Sequence, residues 1–191
     1  MYGLIKRSIL MTIALLFLTC VIYPLSIWVV GQVAFHKLAN GSIIVKNNVS
    51  VGSKFIAQNF QKPEYFHPRP SSAGDRGYDA SNSAGSNLSL TNKKFMDALQ
   101  ANIKQVRFEN PGLVTDKIPN DMVMSSASGL DPDISPENAL AQAQRVAQKR
   151  NISESSVKEL IKNHIEKPDL NFLGEAHVNV LELNLALDAR K

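Results

Sequence analysis

Ser125, Ser126, Ser128 and Ser135 fall within eleven residues, "SSASGLDPDIS", beside one glycine, one proline and two acids. A nucleophilic serine needs a base to take its proton and an acid to orient that base. This stretch lacks the Gly-x-Ser-x-Gly elbow that raises such a serine above a strand–helix turn. His164 and His177 could supply a base, but no spacing ties them to these serines. Metal chemistry has as little support. His36, His67, His164 and His177 are scattered, without His-x-x-x-His spacing. The single cysteine, Cys20, permits neither an intrachain disulfide nor a cysteine-based zinc site. No Gly-x-x-x-x-Gly-Lys-Ser/Thr loop is present to cradle phosphates. "GDRGYD" lacks the calcium-loop spacing, so Asp75 and Asp79 read as loop hydrogen-bonders. The residue types point away from a self-sufficient active site.

The elements around these residues begin with a membrane segment. Ser8 to Phe35 contains no Asp, Glu, Lys or Arg over 28 residues. About 20 apolar residues suffice for a helix to cross a bilayer. A cleaved signal peptide has a shorter apolar core and small residues before its cleavage point, which this run does not offer. The reading is therefore a permanent anchor at 8–35, after a short cytoplasmic stretch at 1–7. Pro24 predicts a disturbance in mid-span. Tyr23 and Trp28, usually interface residues, fall inside the run and become candidates, with Pro24, for contact with a neighbouring membrane helix. Lys6, Arg7 and the terminal amine precede the span, against Lys37 and His36 after it. The positive-inside bias places the N-terminus in the cytoplasm and the rest outside it.

Net charge is +4, but without Lys6, Arg7 and Lys37 it is only +1, with both signs interspersed. That excludes a nucleic-acid face as the reason for the basic balance. The outer part reads as a connector at 36–53 and a domain at 54–191. Ile43–Val45, Val49 and Val51 suit strands, and Ser53 reads as the cap of a short helix near Lys54–Phe60. Residues 62–92 are rich in Pro, Gly, Ser and Asn, without periodic hydrophobicity. So long a loop in a compact domain is often functional, and Tyr65, Phe66 and Tyr78 within it predict that it packs in an ordered way.

Helical periodicity resumes near Thr91, with a stripe of Phe95, Leu99, Ile103 and Val106, and "ENPG" stops it. "DMVMSS" reads as a short strand. Ser135, Pro136 and Glu137 are a cap, a first-turn proline and a first-turn acid, followed by a helix with Ala139, Ala143, Val146 and Ala147 on one face. Ser135 is thereby assigned to a cap, and "SGLDPD" before it to a turn. Ser153 caps a further helix, with Ile152 and Val157 as a staple and a stripe of Val157, Leu160, Ile161 and Ile165 that Pro168 ends. The last segment reads as a short strand leading into a helix. The fold class is α+β: one N-terminal membrane helix and a small extracytoplasmic domain of helices and short strands.

These segments, in this order, resemble the C subunit family of the Kdp potassium-transporting ATPase. The resemblance is carried by "VIYPL", "GSKFIAQNF", "YFHPRPSSAG", "YDASNSAGSNLSLTN", "SSASGLDPDISPENALAQAQRVAQKRN" and "VNVLELNLALD", which span nearly the whole chain. It implies an accessory chain of a bacterial ATP-driven potassium importer, in the inner membrane beside a potassium-translocating A subunit, an ATPase B subunit and a small F subunit. Such a chain is described as a catalytic chaperone that assists ATP use; it holds no cofactor alone, and ATP and potassium are handled by the complex. The expected topology places the domain away from cytoplasmic ATP, so coupling through the anchor or a role above the potassium entrance fits better than direct nucleotide contact. Gln142, within a shared motif, is the candidate for any polar nucleotide contact. Ser125, Ser128 and Asp131, with Tyr65, Phe66 and Tyr78, are candidates for subunit contact. The alternative is a membrane-anchored extracytoplasmic binding domain.

Overall fold

Proline 24 has no N–H to offer the Cys20 carbonyl, and its ring crowds that carbonyl. The computed structural model, which describes residues 1–113 and 117–190, shows how the chain absorbs this. Helix α1 (Tyr2–Phe17) opens into a π-helical turn (Leu18–Ile22) before α2 (Tyr23–Ala34) continues. A widened turn at this point accommodates the missing hydrogen bond. The hydroxyls of Thr19 and Ser26 donate to the Leu15 and Tyr23 carbonyls at 2.8 and 2.7 Å, so neither is left unpaired in an apolar surround. Tyr2–Ala34 forms one helix long and apolar enough to cross a membrane. It begins ahead of the uncharged run, so Lys6 and Arg7 sit within its first turns. A short helix, α3 (His36–Ala39), follows.

The chain divides into two units, Met1–Ile43 and Ile44–Lys191. Lys191, the expected end of the outer domain, lies outside the described residues. The second unit opens with a hairpin of β1 (Ile43–Lys46) and β2 (Val49–Ser53). Asn47 and Asn48 turn it at φ 52° and 61°, a left-handed pair that asparagine tolerates and a two-residue hairpin needs. The helix expected at Lys54–Phe60 is absent. Ser53 Oγ accepts from Phe55 N, two residues on, which makes a turn rather than a helix cap. Ala57 N then donates to Leu130 O, drawing the chain out against the serine stretch.

Helix α4 (Lys93–Glu109) carries the predicted stripe inward and is capped by Asn92, whose side chain accepts from Lys94 N. The expected strand at "DMVMSS" is instead a helical turn, α5 (Asn120–Val123). The turn is closed by Met124 N donating to Asn120 O at 2.9 Å, and adjacent Met122 and Val123 are both buried. With Val106, Leu99 and Ile103 they form a small core of their own.

The main core lies around α6 (Pro136–Arg150), α7 (Glu154–Asn163) and α8 (Val180–Ala189). Ser135 and Ser153 cap α6 and α7, as predicted, accepting from Asn138 N and Ser156 N. Asn151, at φ 54°, ends α6 in the left-handed conformation common at helix C-termini. Helix α7 stops at Asn163, before Pro168, because Ile165 belongs to a strand and not to the helical stripe. That strand, β4 (Ile165–Glu166), joins β3 (Asp133–Ile134) and β5 (His177–Asn179) in an antiparallel sheet of order β3-β5-β4. Val178 pairs with Ile134 on one side and Ile165 on the other. Its side chain is fully buried among Ala143, Val146, Val157, Ile161, Leu183 and Leu187. The architecture is α+β, and the strand-then-helix ending is present.

Candidate functional site

The loop at 62–92 has almost no regular hydrogen bonding of its own, yet Phe66 at its start is fully buried, at 0% exposure. Burying that ring drags backbone amides into the core, where each polar group needs a partner. The helices supply them. Five consecutive carbonyls, Pro63 to His67, each accept a side-chain hydrogen bond. Arg145 of α6 donates to Pro63 O and to Tyr65 O at 2.9 Å. Arg150 donates to Glu64 O at 2.8 Å. Asn184 of α8 clamps Phe66, accepting from its N at 2.8 Å and donating to its O at 3.0 Å. Gln142 of α6 clamps His67 in the same way, at 2.8 and 3.1 Å. A primary carboxamide offers a peptide-like donor and acceptor side by side, so each of these residues acts as a one-residue strand edge.

Gln142 is 2% exposed and has no spare valence. Its Oε1 also accepts from Arg145 Nη2, and its Nε2 also donates to Asn138 Oδ1 at 2.7 Å. Burial lowers the Arg145 guanidinium to about 10, against an opposing pull from Glu109, so it remains charged at physiological pH. Tyr65 is held by three contacts: its ring packs on Phe60, the Arg150 guanidinium lies 4.8 Å above it, and its hydroxyl donates to Asp188.

The serine stretch is sewn to the same loop. Ser71 Oγ donates to Gly129 O and accepts from Ala73 N and Tyr78 N. Ser83 Oγ donates to Ser128 O at 2.9 Å, and Arg69 pairs with Asp131 at 2.9 Å. Ser128 Oγ accepts from Leu130 N and lies 3.3 Å from Ser126 Oγ. No hydrogen bond described for Ser125, Ser126 or Ser128 involves a histidine; the stretch is a hydrogen-bonded turn. His164 is engaged with Leu160 O, and His177 with Glu175 O.

Between this loop and α4 runs a cleft of about 440 Å³, lined by Asn59, Gln61, His67, Asn102, Gln105 and Glu109 among others. His67 Nδ1 meets Glu109 Oε2 at 3.1 Å. Burial by itself would raise the Glu109 carboxyl, but hydrogen bonds from His67 and Gln105 outweigh it and hold the group below its ordinary range. The wall offers the amides of Asn59, Gln61, Asn102 and Gln105 beside the His67–Glu109 pair.

Tyr78 closes the loop from the other side. Its backbone is left-handed at φ 58°, its hydroxyl donates to Arg69 O at 2.8 Å, and burial pushes the phenol up to about 12. A raised phenol stabilises the fold below its unfolded value near 10, and that stability is lost as pH rises through 12. Tyr78 by itself is therefore expected to contribute a loss of about 2–3 kcal/mol between pH 9 and 12. Tyr78→Phe should flatten that segment of a stability–pH curve, and an unchanged slope would refute the assignment.

The structure thus separates the predicted residues. Tyr78, Ser125, Ser128 and Asp131 gather where the loop meets the serine stretch, linked through Arg69 and Ser83, whereas Tyr65 packs apart from them on Phe60, Arg150 and Asp188. Tyr23, Pro24 and Trp28 lie on the membrane helix, with Tyr23 and Trp28 exposed. Phe66 belongs to the core, so its ring offers no surface to a subunit. Gln142 is a clamp whose hydrogen-bonding groups are already taken, leaving none for a nucleotide. Sequence reasoning missed Asn138, Arg145, Arg150 and Asn184. A signal for two of them was available: Asn138, Gln142 and Arg145 recur at spacings of four and three beside the alanine face of α6.

The model of the family described as "KdpC: K+-transporting ATPase, c chain" matches residues 5–189. A protein of Koribacter versatilis named "Potassium-transporting ATPase KdpC subunit" is 48% identical over 181 residues, covering 95% of this chain and 92% of that protein. The protein of that name from Nitratidesulfovibrio vulgaris is 45% identical, over 99% and 95% of the two chains. The one from Caulobacter vibrioides is 51% identical, over 88% and 84%. With the match running from the membrane helix through the clamped loop to the last helix, the chain belongs to the KdpC family, the c chain of the K+-transporting ATPase.

Proposed function

We propose that this chain is a non-catalytic accessory subunit that stabilises an ATP-driven potassium import complex and assists ATP use by its catalytic B subunit. Its partners are the potassium-translocating A subunit, the B subunit and the F subunit, in the bacterial inner membrane. The N-terminus is cytoplasmic and the domain lies outside, on the charge asymmetry around the span. ATP and potassium are handled by the complex, and assistance reaches the cytoplasmic side through the anchor helix or through contact above the potassium entrance.

The observation that carries this reading is the run of five carbonyls, Pro63–His67, held by Arg145, Arg150, Asn184 and Gln142. The side chains best equipped for chemistry are consumed in fixing a long surface loop. A rigid loop of that kind serves recognition, since order acquired before binding need not be supplied during it. The test is potassium-stimulated ATPase activity of the purified complex with and without this chain, with assembly checked on both samples. Activity should fall while the other subunits stay together. Disintegration of the complex would make the chain an assembly clamp alone. Unchanged activity and assembly would defeat the proposal and favour the anchored binding domain.

A further inference from the structure

Between β4 and β5 the chain makes a narrow excursion whose tip breaks two rules at once. Asp169 and Leu173 pair as an isolated antiparallel bridge, each donating to the other's carbonyl at 2.9 Å. Leu170 and Asn171 between them are both left-handed, at φ 53° and 66°. Asparagine tolerates that conformation, but leucine does not, because its Cβ crowds the neighbouring carbonyl. The side chains gain nothing from the strain within this chain: Leu170 is 76% exposed, Phe172 73% and Leu173 53%. Three large apolar side chains within four residues, on a strained but hydrogen-bonded turn, serve neither the core nor solubility. Strain of this kind persists where a contact uses it.

We infer that the Leu170–Leu173 tip is a docking finger that inserts into a concave apolar pocket of a protein partner within the transport complex; this rests on the accessory-subunit reading. The charge around the tip selects a protein over a lipid surface. Lys167, Asp169 and Glu175 flank it, so carboxylates outnumber the cation. An interfacial lipid anchor needs the reverse, a basic rim that holds anionic headgroups. The geometry suits insertion. The bridge stiffens the base of the finger, so Phe172 is presented at little further entropic cost, and an aromatic ring seated in a dry pocket is a frequent centre of binding energy.

The test uses the full chain in its assembled complex. A photoreactive benzophenone analogue in place of Phe172 is expected to form an adduct with another subunit. Phe172→Ser is expected to weaken retention of the chain by roughly tenfold or more in a detergent wash series. Its thermal unfolding should match wild type, since the side chain is exposed. An adduct only with lipid, an adduct with a second copy of this chain, or no protein adduct would each overturn the proposal. So would wild-type retention of Phe172→Ser. Loss of the accessory-subunit reading looks different: there the wild-type chain itself fails to remain with the other subunits, and the finger falls with it.

Discussion

Gln142→Leu is expected to lower the stability of the outer domain by about 3–5 kcal/mol, through groups it leaves behind rather than volume it removes. Leucine is close to glutamine in size, so the cavity term is small. The substitution strands His67 N and O, frees Asn138 Oδ1, and takes an acceptor from the buried Arg145. Each unsatisfied buried group costs about 1–3 kcal/mol. Unfolding of the full chain in detergent should shift down by about 10 °C for a domain of this size. Asn184→Leu removes the neighbouring clamp from a different helix and should behave alike, with protease sensitivity appearing in residues 62–92. A nucleotide contact predicts another pattern. It would raise the apparent KM for ATP of the assembled complex while leaving unfolding and proteolysis unchanged. That result for Gln142→Leu would sink the clamp reading.

Local grammar reached the elements that are decided locally. Ser135 with Pro136, and Ser153 with its staple, announce helices through chemistry contained within a few residues, and both helices are where that chemistry puts them. The errors fall where a distant partner decides. Ser53 would have made a helix cap had Leu130 not taken the Ala57 amide. Ile165 fits the stripe of α7, but Val178 across the sheet claims it. Asp121 holds α5 in place by accepting from Ser135 and Asn138 of the next segment, a contact invisible in "DMVMSS". The site follows the same division. Tyr65, Phe66 and Tyr78 betrayed an ordered loop because a linker has no use for aromatic rings. Phe66 is the ring that lies inside, and composition does not say which ring that is. The clamps were hidden because asparagine, glutamine and arginine on a helix read as solvated unless something buries them, and what buries them here is the loop itself, some 75 residues earlier in the chain.

The seam between loop and serine stretch supplies the second large effect, at Gly129. Its φ is +66°, and a Cβ there would sit 2.4 Å from Ala84 O and 2.8 Å from Ala73 N, both backbone atoms of the 62–92 loop. Neither can move alone, because Gly129 O also accepts from Ser71 Oγ, which orders Ala73 and Tyr78. Gly129→Ala therefore adds a backbone collision to the left-handed strain of about 1 kcal/mol. The expected loss is about 3 kcal/mol or more, with residues 70–92 becoming open to limited proteolysis before the rest of the domain unfolds. Gly174→Ala separates the two contributions. Gly174 is also left-handed, at φ +92°, but nothing lies within 4 Å of its would-be Cβ. It should lose only the conformational part, about 1 kcal/mol, and keep the loop protected. If the two variants unfold alike, the loop does not rest on the serine stretch, and the surface proposed for recognition is not held rigid in advance. If Gly129→Ala alone loosens the loop, the serines are the far wall of that surface, and their hydroxyls are spent on building it.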